Sequence, residues 1–348
     1  MNKNSIIDEE RDVKMKKLTK VLSLMMVTTL SLMGVGCQSA ATDSGQTAST
    51  GDAQNYKIGV IQLVEHAALD AAYKGFVDGL KEAGFEDGKN ITIDYQNAQG
   101  DQSNCQTIAN KLINDQNNLI LAIATPAAQA VANTTKDIPI LVTAVTDPAA
   151  AKLVASNEAP GGNVSGTSDL TPVKEQIGLI TQLVPSVKKV GLLYCSSEAN
   201  SKFQIEIAKK ELEALGLEGV EATVSNSNEI QQVTQSLVGK VEAIYIPTDN
   251  MLAAGMATVA QVTTPSKLPV VVGEEGMVTN GGTATYGINY YNLGKLTAAQ
   301  AVAILKDGKK PAEMPIEYAS ECTLVVNEEA LKAMGIELPQ ELSDQLVK

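Results

Sequence analysis

The sequence predicts an α/β protein with two doubly wound lobes, each built on a parallel sheet. The chain has 348 residues, enough for two domains of ordinary size. From Tyr56 onward, segments of strand length alternate with segments of helical apolar spacing, in two successive series. Each series contains too few strand–helix units to close a barrel, so we expect two open sheets.

The first series begins at Tyr56 and runs to the loop 160–169. Its predicted strands are 57–63, 91–95, 119–124 and 138–142, with a short strand inside 160–169. The predicted helices are 67–83, 103–114, one that begins after 119–124, and 148–154. At the third of these helices, Thr125 is a good N-cap and Pro126 suits the first helical position, since proline has no N–H to leave unpaired.

The second series repeats the design. Its predicted helices are 173–183, 199–215, 229–237, 251–262 and 293–305. Its predicted strands are 189–194, 219–225, 243–247, 269–273, 285–288 and one near 322–326. Tyr194, Tyr245 and Tyr286 fall in these strands, so they are candidates for the core.

Short polar residues and carboxylates gather where the predicted strands end. In doubly wound sheets, ligands bind beyond the carboxyl ends of the strands, and two facing lobes turn that place into a cleft. Helix N-termini there favour an anion, and carboxylates favour a cation, so the cleft suits a zwitterion. Helix capping is the alternative role for each Ser, Thr, Asp and Asn. The candidate ligand-binding residues are Val64, Glu65, His66, Thr125, Pro126, Ala127, Asp147, Ser168, Asp169, Glu198, Asn200, Asp249, Asn250 and Glu274.

The sequence does not support catalysis. It contains no phosphate-binding glycine loop followed by lysine, and no GxSxG motif. His66 is the single histidine and has no cysteine or second histidine at metal spacing, so we expect no metal and no cofactor. At its strand-to-helix turn, His66 would either donate to a ligand or cap the helix. A Ser–His–Asp triad through His66 stays open, although no motif marks the serine.

The net charge of −13 argues against a nucleic-acid partner. Aromatic residues make up 3% of the chain, so aliphatic side chains fill the cores. Cys105, Cys195 and Cys322 have no metal-ligand spacing; we expect buried free thiols, with one disulfide as the alternative.

The N-terminal region is typical of an export signal. Basic residues at 16–20 precede the apolar run 21–36, which is too short for a comfortable membrane span. The run ends in MGVGC, which resembles a bacterial lipobox with Cys37 as the lipidated residue, although Gly34 stands where leucine is usual. A non-lipidated signal is the alternative, and Met15 competes with Met1 as the start. Residues 38–54 are rich in Ser, Thr, Gly and Ala and predict a flexible tether.

Several segments, in this order and spacing, resemble the substrate-binding lipoproteins of ABC importers with the type I periplasmic-binding fold, and within them the tryptophan/tyrosine-type subfamily. The resemblance covers about residues 56–338. The segments are EHAALDAAYKGFVDGL, TPAAQA, AVTDP, PGGNVSGTSD, SSEANS, TDN and ATYGINYYNLG.

The resemblance implies two lobes joined by three crossing segments, which we place near Ser168, Thr283 and Ile316. The first lobe would then be 55–168 with 284–316, and the second 169–283 with 317–348. The implied ligand is an aromatic amino acid, with its carboxylate on helix N-termini such as that at Thr125 and its ammonium on Asp249 first, then Asp169 or Glu198. Few aromatic residues are available to stack on a ring, so an aliphatic pocket that includes Val64 and Ala67 is expected.

A lipidated Cys37 followed by a polar tether places the lobes on the outer face of the cell membrane. We expect a monomer, and the resemblance implies that it delivers its ligand to ABC permease subunits. Three alternatives stay open: a ligand-binding sensor lipoprotein, the same transport role with a nucleoside or other small solute, and an extracellular hydrolase.

Overall fold

A computed structural model describes residues 55–346, which form one compact unit. Its strands, in chain order, are β1 (Tyr56–Gln62), β2 (Ile91–Asn97), β3 (Leu119–Ile123), β4 (Ile140–Val145), β5 (Val164–Ser168), β6 (Lys189–Cys195), β7 (Glu218–Val224), β8 (Ala243–Ile246), β9 (Val270–Val272), β10 (Ala284–Gly287), β11 (Glu317–Tyr318) and β12 (Thr323–Val326). The predicted signal peptide, Cys37 and the tether lie outside the described residues.

The helices, in chain order, are α1 (Ala67–Glu82), α2 (Gln102–Asn114), α3 (Thr125–Thr134), α4 (Val173–Leu183), α5 (Ala199–Ala214), α6 (Ile230–Leu237), α7 (Asn250–Ala254), α8 (Met256–Thr263), α9 (Glu275–Thr279), α10 (Tyr290–Asp307), α11 (Glu328–Met334) and α12 (Gln340–Ser343). Two 3₁₀ turns, Ser227–Glu229 and Pro311–Glu313, complete the described elements. Among residues 55–346, none of the helices combines the length and the hydropathy that a membrane span needs.

Two six-stranded sheets confirm the predicted α/β fold of two lobes. The first sheet has the order β11-β5-β4-β3-β1-β2, and all its strands are parallel. The second has the order β12-β10-β9-β8-β6-β7, and its edge strand β12 runs antiparallel to β10. One apolar core surrounds the first sheet, and one core lies on each face of the second. Tyr245 is fully buried there, and its hydroxyl donates to Gln176 Oε1 at 2.9 Å.

The chain crosses between the sheets after β5, after β10 and after β11. The second and third crossings differ from those expected at Thr283 and Ile316. β10 still belongs to the second sheet, because it pairs with β9 and β12. β11 belongs to the first sheet, because it pairs with β5. Each of these two crossings therefore lies a few residues further along the chain than expected.

Two predicted helices differ in the structure. Residues 148–154 form turns instead of a helix, because Asp147 Oδ1 accepts from the Ala150 amide at 2.9 Å and Lys152 adopts a left-handed φ of 62°. The predicted helix 251–262 is divided into α7 and α8 at Gly255.

Cys105 and Cys195 are buried free thiols, whereas the free thiol of Cys322 is exposed, contrary to expectation.

Helices α1 and α10 of the first lobe cross at a backbone contact that only glycine allows. A Cβ on Gly294 would lie 2.0 Å from the Ala72 carbonyl oxygen, and one on Gly75 would lie 1.9 Å from that of Tyr291. Neither carbonyl can move without disturbing its own helix. The small residues therefore set the distance between the two helices.

Gly294→Ala is expected to lower the free energy of unfolding by roughly 1–3 kcal/mol, because the added methyl forces the helices apart. Gly178, inside α4, is the matched control, since a Cβ added there would have no atom within 4 Å. Gly178→Ala should raise stability by roughly 0.5–1 kcal/mol through helix propensity alone. Urea unfolding of both variants measures the effects, and equal stabilisation by both would contradict the packing argument.

Candidate functional site

The carboxyl ends of the two sets of strands face each other and touch. Thr146 follows β4 in the first lobe and Thr248 follows β8 in the second; their hydroxyl oxygens are 3.2 Å apart. His66 at the start of α1 reaches Asn250 at the start of α7, with Nε2 and Oδ1 3.4 Å apart. The predicted cleft is therefore closed around its central residues.

A narrow cavity, here called the central cavity, lies between the lobes. It is lined by His66, Leu69, Ala144, Asp169, Thr248, Asp249, Asn250, Ala253, Glu274 and Tyr290. Three of these residues are acidic, and none is Lys or Arg. A cavity with this lining favours a cationic group. Five of the predicted site residues meet here: His66, Asp169, Asp249, Asn250 and Glu274.

The hydrogen-bonding capacity of Asp249 is already largely used by the protein. Its Oδ2 accepts from the Cys195 amide at 2.6 Å and the Ser201 hydroxyl at 2.7 Å, and its Oδ1 accepts from the Leu252 amide at 2.9 Å. The last bond caps α7. Asp249 therefore acts as an N-cap, the alternative considered for these residue types.

Glu198 is also occupied by protein donors. Its Oε2 accepts from the Asn250 side chain at 2.5 Å and the Asn200 side chain at 3.0 Å, and its Oε1 accepts from the Met251 amide at 3.1 Å. Burial, and then the charge of Asp249, raise the pKa of Glu198. These contacts hold α5 and α7 together at the edge of the cavity.

Asp169 differs from both of these acids. It is 4% exposed, and its Oδ2 accepts from the Tyr290 hydroxyl at 2.7 Å. Its Oδ1 is buried with no hydrogen-bond partner among residues 55–346. Burial raises the pKa of Asp169 to about 6. An ionised, half-paired carboxylate in this position lacks a donor that a ligand would supply.

Glu274 is another buried acid of the same cavity. It caps α9, accepting from the Gly276 amide at 2.5 Å. Burial raises the pKa of Glu274 to about 7, and the charges of Glu275 and Asp169 add to the effect. Burial also raises the pKa of Asp249, so three acids with raised pKa values line one cavity: Asp169, Asp249 and Glu274.

His66 does not cap α1, since its side chain makes no capping bond. The side-chain nitrogen of Asn250, Nδ2, donates to Glu198. In the contact with His66, Asn250 Oδ1 is therefore the acceptor and His66 Nε2 is the donor. The other ring nitrogen, Nδ1, is then a buried acceptor without a partner in the described chain. Burial lowers the pKa of His66 to about 4, which keeps the ring neutral.

The start of α3 differs from the prediction. Ala124 is the N-cap, with a left-handed φ of 80°, and Thr125 is the first helical residue instead of the cap. Because the Ala128 amide bonds to the Ala124 carbonyl, the helix begins one residue early. The Thr125 hydroxyl is left buried without a partner in the described residues. Backbone strain and an unpaired hydroxyl at one helix start are typical of a functional site.

Two grooves flank the central cavity. The Met251 groove is lined by Leu63, Val64, Gln99, Gly100, Asp101, Gln102, Pro126, Ser197, Glu198, Ser225, Asn226, Ser227, Asn250, Met251, Ala254 and Gly255. The Phe203 groove is lined by Thr125, Asp147, Ala150, Ala151, Ala199, Asn200, Lys202, Phe203 and Glu206. The remaining predicted site residues are placed elsewhere: Glu65 is exposed, Ala127 is fully buried in the core, and the Ser168 hydroxyl donates to the Thr146 carbonyl at 2.6 Å.

Tyr290 and Gln204 are among the residues of the cleft that were not predicted from the sequence. Tyr290 was missed because the predicted helix began three residues later, although its place just after β10 follows the strand-end rule. Gln204 lies inside α5 and carries no sequence signal. No group of three or more His, Cys, Asp or Glu within residues 55–346 could hold a metal ion.

Two parallel-sheet lobes with an acid-lined cavity between their strand ends define a two-lobed solute-binding protein with the type I periplasmic-binding fold. The family model described as ABC transporter substrate binding protein matches residues 57–347. The chain therefore belongs to this family, whose members work outside the cell membrane and supply ABC importers.

Named relatives agree with this assignment. The chain is 42% identical to a tyrosine-binding protein of Clostridioides difficile, over 96% of both chains. It is 41% identical to a Streptococcus pneumonia ABC domain solved in complex with L-Trp, with a TM-score of 0.81, covering 84% of this chain and 98% of that one. It is 47% identical to a ligand-free, open substrate-binding protein with adhesive properties from Clostridium difficile, with a TM-score of 0.64, covering 82% and 96%.

Proposed function

We propose that this protein binds an aromatic amino acid as a zwitterion between its lobes and delivers it to an ABC permease. The observation that carries the proposal is the buried Oδ1 of Asp169, which has no hydrogen-bond partner among residues 55–346. It lies in a cavity lined by three acids and by no Lys or Arg. An ammonium group there would complete the hydrogen bonding of Asp169 and offset its burial. Asp169 is a better partner for the ammonium than Asp249 or Glu198, whose oxygens accept from the protein.

The ligand carboxylate would lie on the helix starts of the first lobe. α1 and α3 have no side-chain cap, and the first amides of a helix have no partner within the helix. In the second lobe Asp249 and Glu274 cap α7 and α9, whereas α5, like α1 and α3, has no side-chain cap. The first lobe thus offers donors for an anion, and the Thr125 hydroxyl adds one more.

The ligand ring would lie in the Met251 groove. This groove meets the central cavity at Asn250 and has an apolar wall that includes Leu63, Val64, Pro126, Met251 and Ala254. These side chains are aliphatic, which supports the expected aliphatic pocket; of the two residues expected there, Val64 lines the groove and Ala67 does not. The names of two relatives, one tyrosine-binding and one solved with L-Trp, support an aromatic ring.

The arrangement of the lobes fits a ligand-binding form. The chain has a TM-score of 0.81 to the relative in complex with L-Trp but 0.64 to the ligand-free, open relative, although the latter is more similar in sequence. Closure of the lobes by hinge motion accounts for such a difference.

We further propose that Cys37 carries the lipid anchor and that residues 38–54 tether the lobes to the membrane.

Thermal unfolding with single solutes tests the ligand. A true ligand at a hundredfold excess over its Kd stabilises by roughly 2.7 kcal/mol and should raise Tm by several degrees. We expect this shift with Tyr, Trp or Phe and none with Leu or Glu. Tyramine, which lacks the carboxylate, and 3-(4-hydroxyphenyl)propionate, which lacks the ammonium, should each act more weakly than Tyr. A shift with a nucleoside or sugar alone would overturn the ligand assignment and leave the family unaffected.

A further inference from the structure

Three buried polar side chains lie where the lobes touch, and we call them the interlobe bridge: Thr146, Gln204 and Thr248. Thr146 belongs to the first lobe, and the other two belong to the second. Their exposed fractions are 2%, 0% and 7%. The bridge uses no ligand atom, so it acts between the lobes directly.

Gln204 is held in place by its own lobe. Its Nε2 donates to Thr248 Oγ1 at 2.6 Å and approaches the Asn200 carbonyl at 3.3 Å, and its Oε1 accepts from the Thr248 amide at 3.3 Å. From this position, Nε2 also reaches Thr146 Oγ1 across the cleft at 3.2 Å. The second lobe therefore presents a preorganised donor to one hydroxyl of the first lobe.

Thr146 connects this contact to the acid of the central cavity. Its carbonyl accepts from Ser168, and the Asp169 amide donates to the Val145 carbonyl at 3.3 Å, so Thr146 and Asp169 are fixed side by side. The Thr146 hydroxyl acts to lower the pKa of Asp169, although Asp169 Oδ1 has no hydrogen-bond partner among residues 55–346. When Thr146 Oγ1 accepts from Gln204 and also from the Thr248 hydroxyl 3.2 Å away, its own proton is free to point toward Asp169.

We propose that Gln204 is a positioning residue that holds the lobes closed through Thr146 and turns the Thr146 hydroxyl toward Asp169. Closure and cation binding then strengthen one another. The second half of this statement rests on the proposed function, because it assumes a cation on Asp169. The first half concerns the lobes alone and holds for any ligand.

The bridge should act mainly on ligand release. The contacts of Gln204 and Thr248 with Thr146 form only when the lobes meet, so losing them favours opening without changing the surfaces that first receive the ligand. Most affinity changes of this kind appear in the dissociation rate. The affinities for Tyr and Trp should fall by the same factor, because the bridge residues do not line the Met251 groove.

The test compares Gln204→Met and Thr146→Val with Thr146→Ser and Gln300→Met. Methionine and valine keep the volume and remove the hydrogen bonds, and serine keeps the hydroxyl. Gln300 is also a buried glutamine, but its side chain bonds to Pro315 and Glu317 within the first lobe. Both bridge variants should bind aromatic amino acids about 3- to 10-fold more weakly, through faster release. The losses of affinity should not add in the double variant, because both substitutions remove the same contact, that between Gln204 and Thr146.

Small-angle scattering of the ligand-free proteins separates this inference from the ligand assignment. We expect a larger radius of gyration for Gln204→Met and Thr146→Val than for the wild type, Thr146→Ser and Gln300→Met. Equal radii, or a loss of affinity shared by Gln300→Met, would overturn the positioning role. If even the wild type binds no amino acid, the proposed function fails, and the scattering comparison still decides whether the bridge holds the lobes together.

Discussion

Asp169→Asn is expected to weaken the binding of aromatic amino acids by roughly 30-fold or more, since removing one member of a buried charge pair costs about 2–5 kcal/mol. Asn keeps the shape of the side chain and one oxygen for the Tyr290 hydroxyl, but it cannot offset the ammonium charge. Isothermal titration with Tyr and Trp measures the loss. The same variant should unfold at a higher temperature than the wild type without ligand, because a buried, half-paired carboxylate has been removed.

Two controls make this prediction specific. Glu275 neighbours Glu274 but does not line the central cavity, and its side chain accepts from Thr323 at 3.1 Å. Glu275→Gln should therefore leave the affinity within about twofold, as expected of a substitution outside the contact. A ligand without the ammonium group should bind the Asp169→Asn variant as tightly as it binds the wild type. Affinity for Tyr within a few-fold of wild type would rule out Asp169 as the cation partner.

Lowering the pH from about 7.5 to about 5 should change ligand affinity and protein stability in opposite directions. The affinity should fall by roughly tenfold at the lower pH, because the pKa of Asp169 is about 6 in the ligand-free protein and its protonated form cannot pair with an ammonium. The free energy of unfolding should rise over the same range. Titration calorimetry and urea unfolding at each pH measure the two quantities.

The sign of the stability change follows from which state binds more protons. The pKa values of Asp169 and Glu274 are about 6 and about 7 in the folded protein, and both exceed the ordinary values near 4 of the unfolded chain. As the pH falls through these values, the folded state takes up protons first and is stabilised. Glu198, whose pKa is also raised, acts in the same direction.

His66 opposes this trend, because its folded pKa of about 4 lies below its unfolded value, so the unfolded state gains a proton first. Burial raises the pKa of Asp249 as well, so one histidine is set against four buried acids and the net effect of acidification stays stabilising. Glu274→Gln is the matched variant: it should be more stable than the wild type at about pH 7.5 and should show a smaller rise on acidification. A wild-type protein that loses stability steadily from about pH 7.5 to about 5 would contradict the raised pKa values.

The sequence predicted the fold class because apolar runs such as Leu119–Ile123 are fully buried strands and the helical spacing between them is regular. The helix predicted over 148–154 was wrong. The proline and alanines of this segment favour a helix, but the Asp147 side chain and the left-handed backbone of Lys152 close it into turns. Such a competition between local propensity and side-chain hydrogen bonds has no periodic signal. The crossings were misplaced for a related reason, since strand patterns do not reveal which sheet a short strand joins.

The site was predictable as a place more than as a set of roles. Five of the candidate residues, chosen because they follow strand ends, line one cavity, since the parallel strands of each sheet end on one edge. The strand-end rule could not separate Asp249 from Asp169. That distinction depends on which oxygens already accept hydrogen bonds, and the donors, Cys195 and Ser201 on one side and Tyr290 on the other, come from distant parts of the chain.

The threefold crossing of the chain has a consequence for biosynthesis. The first lobe needs α10 against α1, and the Tyr56 hydroxyl donates to the Leu305 carbonyl, 249 residues further on. The entire second sheet except β12 is therefore synthesised before the first lobe receives its last helix and its edge strand β11. Since contacts this distant in sequence slow folding, an unfinished first lobe should be the long-lived species as the chain emerges, with the α1 surface exposed until residue 307 arrives.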